Sequence, residues 1–225
     1  MSTAFAVMTR DATCAALAGE LLELDRRTVV CCRPQDQAVV LGSMQPFDDA
    51  QIARAAVAGF GVTRRMSGGG AVVIEPGAVG WFDCFVPAGD PSFVRDVREG
   101  AYAIGEWWAR AFVALGIEPG LLEVHRGAMT KSALAKVSCF AGLGPGEVTL
   151  SGRKIMGLSQ RRTRSGAWYF SLVYLVSDPS RDAHLLAGDE TEERELSRVL
   201  GDSVAVLDRT HRQLTESLLS VLEHR

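Results

Sequence analysis

EVTLSGRKIMGLSQRRTRSGAWYFSLVYLV, residues 147 to 176, decides the fold. Glu147 to Leu150 and Arg153 to Gln160 read as two strands joined across Ser151-Gly152, a dipeptide suited to a two-residue hairpin. Ala167 to Val176 is a third, strongly β-prone run, reached through the turn Arg164-Ser165-Gly166. Three consecutive hairpin-linked strands argue for an α/β (α+β) protein with a central mixed, largely antiparallel sheet. They argue against a strict strand–helix–strand repeat.

Upstream, Asp11 to Leu24 is Ala- and Leu-rich and reads as a helix, with Asp11 and Thr13 available near its start for capping. Thr28 to Cys32 and Ala38 to Leu41 read as short strands separated by the turn Arg33-Pro34-Gln35-Asp36. Asp48 or Asp49 caps a helix through Ala58, which Gly59 and Gly61 end. The clearest helix begins near Asp90-Pro91-Ser92. Its apolar stripe is Val94, Val97, Ala101, Ile104, Trp108, Ala111 and Leu115, a helical period that makes it core. A last helix, from about Asp208, carries Leu214, Leu218, Val221 and Leu222 on one face.

The chain has 225 residues, 24 Lys+Arg against 27 Asp+Glu, and a net charge of −3. That suffices for one sizeable core without disulfide or metal staples, and we expect a single domain over 1–225 with no C-terminal accessory domain. The near-neutral charge argues against a nucleic-acid binder. Ser165 to Ser177, 13 residues, is the longest stretch free of Asp, Glu, Lys and Arg, too short to span a membrane. The first residues lack a signal-peptide core. The five cysteines (Cys14, Cys31, Cys32, Cys84, Cys139) form no CxxC pair, and the four histidines (His125, His184, His211, His224) show no ligand spacing. The expectation is a cytoplasmic protein without a metal site.

Two segments can carry chemistry. In Arg64-Arg65-Met66-Ser67-Gly68-Gly69-Gly70-Ala71-Val72, three glycines let a ligand lie directly on backbone N–H groups, and two arginines and a serine add donors for a carboxylate or phosphate. The spacing is neither a P-loop nor a dinucleotide fingerprint, and a loop between strands is the plain alternative. The second segment joins Cys139-Phe140, Glu147, Lys154 and Gly157. Lys154 can bind an anionic or carbonyl oxygen, or donate a proton if desolvated; a solvated hairpin lysine is the alternative. Cys139 is either a thiolate nucleophile or an inert buried thiol. Only three of the basic residues are lysines (Lys131, Lys136, Lys154), so a lysine at this place is notable. Arg161-Arg162-x-Arg164 reads as a solvated turn, and Asp189 to Glu195 as a solvated loop and helix start.

Ala38 to Gln45 (AVVLGSMQ), Arg64 to Val72 (RRMSGGGAV) and Gly152 to Gly157 (GRKIMG, continued by Ser159-Gln160-Arg161) together resemble the lipoate–protein ligase and octanoyltransferase family, relatives of biotin protein ligases. The resemblance implies the same mixed sheet flanked by helices. It implies that Arg64, Arg65, Ser67, Gly68, Gly69, Gly70, Ala71 and Gly157 bind the acyl substrate and that Lys154 contacts its carbonyl. The acceptor would be a lysine on a lipoyl carrier domain of a 2-oxoacid dehydrogenase or a glycine cleavage protein.

The leading expectation is a ligase that activates lipoate or octanoate as an acyl-adenylate with ATP and Mg2+. The alternative is an octanoyltransferase that needs no cofactor, with Cys139 as thioester nucleophile and acyl carrier protein as donor. Glycine rather than arginine at position 70 favours the ligase. Cys139 at the transferase nucleophile's distance from Glu147 and Lys154, and Gly146-Glu147 in place of the ligases' Asn-Asp, favour the transferase. The family's His-Gly motif, expected after Gly166, is replaced by Trp168-Tyr169-Phe170-Ser171-Leu172. A third reading is therefore a weakened relative that binds an acyl ligand or carrier domain without turnover.

Overall fold

The computed structural model describes residues 5–130 and 132–223. Ser151 and Gly152 both take positive φ, 50° and 78°. Positive φ at both central residues marks the turn type whose twist suits antiparallel strands. It joins β8 (Val148–Leu150) to β9 (Arg153–Arg162), with Thr149 opposite Lys154. β9 returns through Thr163 to Ser165 into β10 (Gly166–Tyr174), with Phe170 opposite Ser159. β10 then pairs with β6 (Val79–Pro87), which is buried except at its last residue.

β2 (Thr28–Pro34) lies antiparallel to β6, β1 (Ala6–Ala12) parallel to β2, and β7 (Leu122–Val124) antiparallel to β8. The order of this seven-stranded sheet is β1-β2-β6-β10-β9-β8-β7. A second, three-stranded sheet has β3 (Ala38–Leu41) at its centre. β4 (Gly61–Arg64) runs parallel to β3 and β5 (Val72–Ile74) antiparallel.

Helices α3 (Val97–Ala114) and α7 (His211–Glu223) cover one face of the large sheet. Ile104, Trp108, Phe112, Leu214 and Leu218 form a buried cluster there with Phe82 and Cys84. On the other face, α1 (Cys14–Gly19) and the small sheet bring Leu17, Val40 and Ile74 into one core with Trp81 and Leu172. The remaining helices are α2 (Asp49–Val57), α4 (Ala133–Val137), α5 (Pro179–Leu186) and α6 (Glu190–Ser203). The mixed, largely antiparallel sheet flanked by helices is as expected from the hairpins.

Several boundaries differ from the sequence reading. The helix expected from Asp11 to Leu24 shrinks to Cys14–Gly19, because Ala6 to Ala12 is drawn into the sheet edge beside β2. Thr13 caps it, accepting from the Ala16 amide at 3.3 Å. α3 starts not at Asp90 but after Asp96, whose carboxylate accepts from the amides of Arg98 and Glu99. Asp90 is instead paired with Arg27 at 2.9 Å. The strands on either side of Arg33 to Asp36 lie in different sheets rather than against each other. Asp189 caps α6, as the acidic run suggests. Cys14, Cys31, Cys32 and Cys84 are buried, Cys139 half-buried. Among the described residues no helix is long and apolar enough to cross a membrane.

Candidate active site

The glycine loop leaves β4 and returns to β5, and its shape is set by the two arginines that precede it. Arg65 donates to the carbonyls of Val40, Gly68 and Gly70 (3.3, 2.7 and 2.8 Å) and to Ser67 Oγ at 3.1 Å. Arg64 donates to the carbonyls of Gly42 and Gln45 at 3.1 and 2.6 Å. Arg65 therefore holds the loop's own backbone in place, while Arg64 ties the start of the loop to the connection that follows β3. The Ala71 amide donates to the Val137 carbonyl, and the Cys139 amide to the Ala71 carbonyl, both at 2.9 Å. This docks the loop beside α4 so closely that a Cβ on Gly70 would lie 2.6 Å from Ser138 C and 2.8 Å from Cys139 N. Only glycine fits there. The loop is thus a fixed wall, not a slack connection.

Lys154 is carried on β9 toward this loop, and its ammonium is buried, with a side chain 3% exposed. It is paired with Glu147 Oε2 at 2.7 Å. It also donates to the carbonyls of Cys139 and Gly142 at 2.8 and 3.2 Å, and lies 4.8 Å from the centre of the Phe140 ring. Glu147 in turn accepts from the amides of Gly144 and Leu158 at 2.7 and 3.0 Å. An uncompensated buried charge is costly, and this network compensates both charges. Cys139 Sγ is 3.9 Å from the ammonium. Gly157 leaves room for Phe140 and the lysine stem, since its Cβ position lies 3.2 and 3.3 Å from their carbons.

Two cavities meet at this point. An apolar slot of about 560 Å³, its mouth included, runs between the two sheets. Leu17 and Ala18 of α1, Val40, Val72 and Ile74 of the small sheet, and Trp81, Leu172 and Phe170 of the large one form its walls. Beside it a more polar, open chamber, about 1220 Å³ with the solvent space at its mouth included, is lined by Gly68 to Gly70, Arg98, Glu147, Lys154 and Gln160. Ser67, Cys139, Leu158 and Ser159 border both. Ser67 Oγ and Ser159 Oγ lie 2.9 Å apart. A molecule with an apolar tail and a polar, charged head fits this pair of spaces, with the link between tail and head beside Cys139 and Lys154.

The structure brings together Lys154, Cys139, Gly157, Ser67 and the three glycines, as the sequence suggests. Arg64, Arg65 and Ala71 hold the loop by the bonds given above. Glu147, Ser159 and Gln160, which stand in the quoted sequence segments without an assigned role, also line the site, as does Arg98, which sequence reasoning missed. For Glu147 a signal existed: a buried lysine in a hairpin needs an acid within reach, and Glu147 lies just across the Ser151-Gly152 turn. The stretch in place of the His-Gly motif forms β10, where Phe170 and Leu172 wall the slot. Arg161 and Arg162, expected in a solvated turn, are the last residues of β9, with Arg162 engaged with Val94 O and Tyr169 Oη and Arg161 with Met66 O. Among the described residues no group of three His, Cys, Asp or Glu could hold a metal ion.

Residues 10–217 match the Lipoyl protein ligase A/B catalytic domain. No curated protein matches the sequence significantly. Among solved structures, the fold is similar to a bi-partite lipoate protein ligase from Thermoplasma acidophilum, studied with its E2 lipoyl domain. That match has a TM-score of 0.73 and 14% identity, covering 98% of this chain and 83% of that one. A lipoate-protein ligase A bound with ATP matches with TM-score 0.70 and 15% identity, over 98% and 85% of the two chains. A putative lipoate protein ligase from T. acidophilum with bound lipoic acid matches with TM-score 0.60 and 13% identity, over 96% and 94%. At such identities the structures speak for the fold, while the domain match spans nearly the whole sequence. The chain belongs to the lipoyl protein ligase A/B catalytic-domain family and is a lipoate ligase- or transferase-type enzyme.

Proposed function

We propose that this protein joins a lipoyl or octanoyl group to a lysine of a lipoyl carrier domain through an acyl-adenylate formed from ATP. The observation that carries this reading is the meeting of an apolar slot and a polar chamber beside Lys154. The slot takes the aliphatic tail, at about 0.8 kcal/mol for each CH2 removed from water. The carboxyl then lies between Ser67, Cys139 and Ser159, and the chamber takes the nucleotide. An amine does not displace oxide from a free carboxylate, so a carboxylate oxygen first attacks the α-phosphorus of ATP and pyrophosphate leaves. The carrier lysine then attacks the acyl carbonyl carbon and AMP leaves.

The chain's own groups have defined work in both steps. The backbone N–H groups of Gly68 to Gly70 and the Lys154 ammonium stabilise the negative charge that develops on phosphate and carbonyl oxygens. Lys154 exchanges a carbonyl acceptor, Cys139 O or Gly142 O, for a substrate oxygen, while Glu147 keeps the side chain positioned. Mg2+ would be held chiefly by the phosphates. Support for ATP and for a carrier lysine comes from the similar folds solved with ATP and studied with an E2 lipoyl domain.

Cys139 supplies a specific reason for a second reading. Its sulfur borders both cavities and lies 3.9 Å from the Lys154 ammonium, a position from which it could accept an octanoyl group from acyl carrier protein as a thioester. One experiment separates the readings. A lipoyl domain is incubated with the protein and either octanoate plus ATP–Mg or octanoyl-acyl carrier protein, and its mass is recorded. We expect gain with ATP and little change on Cys139→Ser. Gain only from the carrier protein, abolished by Cys139→Ser, would establish the thioester route. No gain with either donor, with Lys154→Ala indistinguishable from wild type, would leave a binding protein.

A further inference from the structure

Asp83 has no part in the chemistry above, yet it is a carboxylate buried at the centre of the large sheet, 5% exposed. Its Oδ1 accepts from the Trp81 indole N–H at 2.9 Å and its Oδ2 from the Cys32 thiol at 3.5 Å. No ion pair among the described residues involves it. A buried carboxyl without a cation is expensive, and what it fixes is the orientation of the Trp81 ring, which lines the slot.

The register of the sheet shows where along the slot that ring stands. Gly157 on β9 is opposite Leu172 on β10, Leu172 is opposite Trp81 on β6, and Trp81 is opposite Cys32 on β2. Gly157, Leu172 and Trp81 all line the slot, whereas Cys32 is sealed in the core. The slot therefore crosses the strands from β9, beside Lys154, to β6. Two strand spacings amount to about 9.6 Å. An extended eight-carbon chain spans roughly 9 Å from carboxyl carbon to terminal carbon at ordinary C–C bond lengths.

We propose that Trp81, held by Asp83, is the stop that sets the acyl chain length this enzyme accepts at about eight carbons. The inference rests on the acyl-transfer reading and makes Trp81 a specificity residue and Asp83 a positioning residue. One strand spacing corresponds to about four methylenes. Removing the ring opens the slot toward β2, and placing a ring one strand nearer to Lys154 closes it early.

The test is calorimetric titration of the intact protein with the free acids butanoate, hexanoate, octanoate, decanoate and dodecanoate. Wild type should bind octanoate best. Trp81→Ala should move the optimum to decanoate or dodecanoate, changing the dodecanoate-to-octanoate ratio of dissociation constants at least tenfold. Leu172→Trp, which adds bulk and leaves no void to collapse, should move the optimum to butanoate or hexanoate. Asp83→Leu should broaden the optimum, while Asp83→Asn, which keeps an acceptor for the indole, should leave it at octanoate. An octanoate optimum that persists in folded Trp81→Ala and Leu172→Trp overturns the stop and leaves the acyl-transfer reading standing. Failure of folded wild type to bind any of the acids overturns both.

Discussion

The Lys154–Glu147 pair gives the sharpest energetic expectation. Both side chains are nearly sealed from solvent, 3% and 5% exposed, with 2.7 Å between nitrogen and oxygen. Removing one partner of such a pair leaves an uncompensated charge and costs about 3–5 kcal/mol. Glu147→Gln stays near the lower end, because Lys154 retains the Cys139 and Gly142 carbonyls and the Phe140 face. It still sacrifices an acceptor, since the amides of Gly144 and Leu158 now compete for one oxygen, a loss of about 1–3 kcal/mol. Lys154→Met leaves the Glu147 carboxylate buried with those two amides alone, at a similar cost. The double variant removes both charges, so its destabilisation should fall about 2–3 kcal/mol short of the sum of the singles. The assay is urea unfolding of all four proteins followed by circular dichroism. Single effects that add to within about 0.5 kcal/mol would refute the pair as a structural unit.

Three further outcomes follow from the same geometry. Gly70→Ala places a Cβ 2.6 Å from Ser138 C and 2.9 Å from Ala135 O. It should cost about 1–3 kcal/mol in unfolding free energy and lower acyl transfer more than it lowers stability. Arg65→Lys loses the fork that gathers three loop acceptors and the Val40 carbonyl of β3, so hydrogen exchange at Ser67 to Gly70 should quicken and KM for the acyl acid should rise. Burial raises the Asp83 carboxyl from 3.8 to about 7, against the opposing pull of the Trp81 and Cys32 hydrogen bonds and the charge of Arg10. Between those values the folded chain holds a proton that the unfolded chain has released, so stability falls as pH rises from about 4 to about 7 and levels above. Asp182 is raised to about 6 and acts in the same direction, so the Asp83 contribution is the difference between wild type and Asp83→Asn, which should widen in favour of the variant up to pH 7.

The sheet's hairpin half could be read in advance because its signals are local. Ser151-Gly152 has the residues a two-residue turn needs, and the strands beside it are rich in Val, Ile, Tyr and Trp. The interior strand β6 carries V-G-W-F-D-C-F-V with no alternation, because both of its faces are covered, and periodicity cannot find such a strand. Asp11 failed as a helix start because pairing with Arg33 in the neighbouring strand outweighs the intrinsic helix preference of one short segment.

In the site, Lys154 and the glycine loop stand out by composition. The roles of Glu147 and Ser159 do not, since they depend on which residues the hairpin register and the loop docking bring within 3 Å. Arg64 and Arg65 illustrate the converse. Read from sequence they are donors for a substrate anion, whereas in the fold Arg65 bonds the loop that faces it and Arg64 bonds the connection after β3.

Activation of the acyl carboxyl by ATP is tested by pyrophosphate exchange, without any carrier domain. The purified protein is mixed with ATP–Mg, labelled pyrophosphate and either octanoate or lipoate, and label appearing in ATP is counted. Exchange should require the acid, survive in Cys139→Ser and fall at least a hundredfold in Lys154→Ala, about 2.7 kcal/mol of transition-state stabilisation. Absence of acid-dependent exchange in a folded wild-type protein that still passes an octanoyl group from acyl carrier protein to a lipoyl domain would contradict activation by ATP.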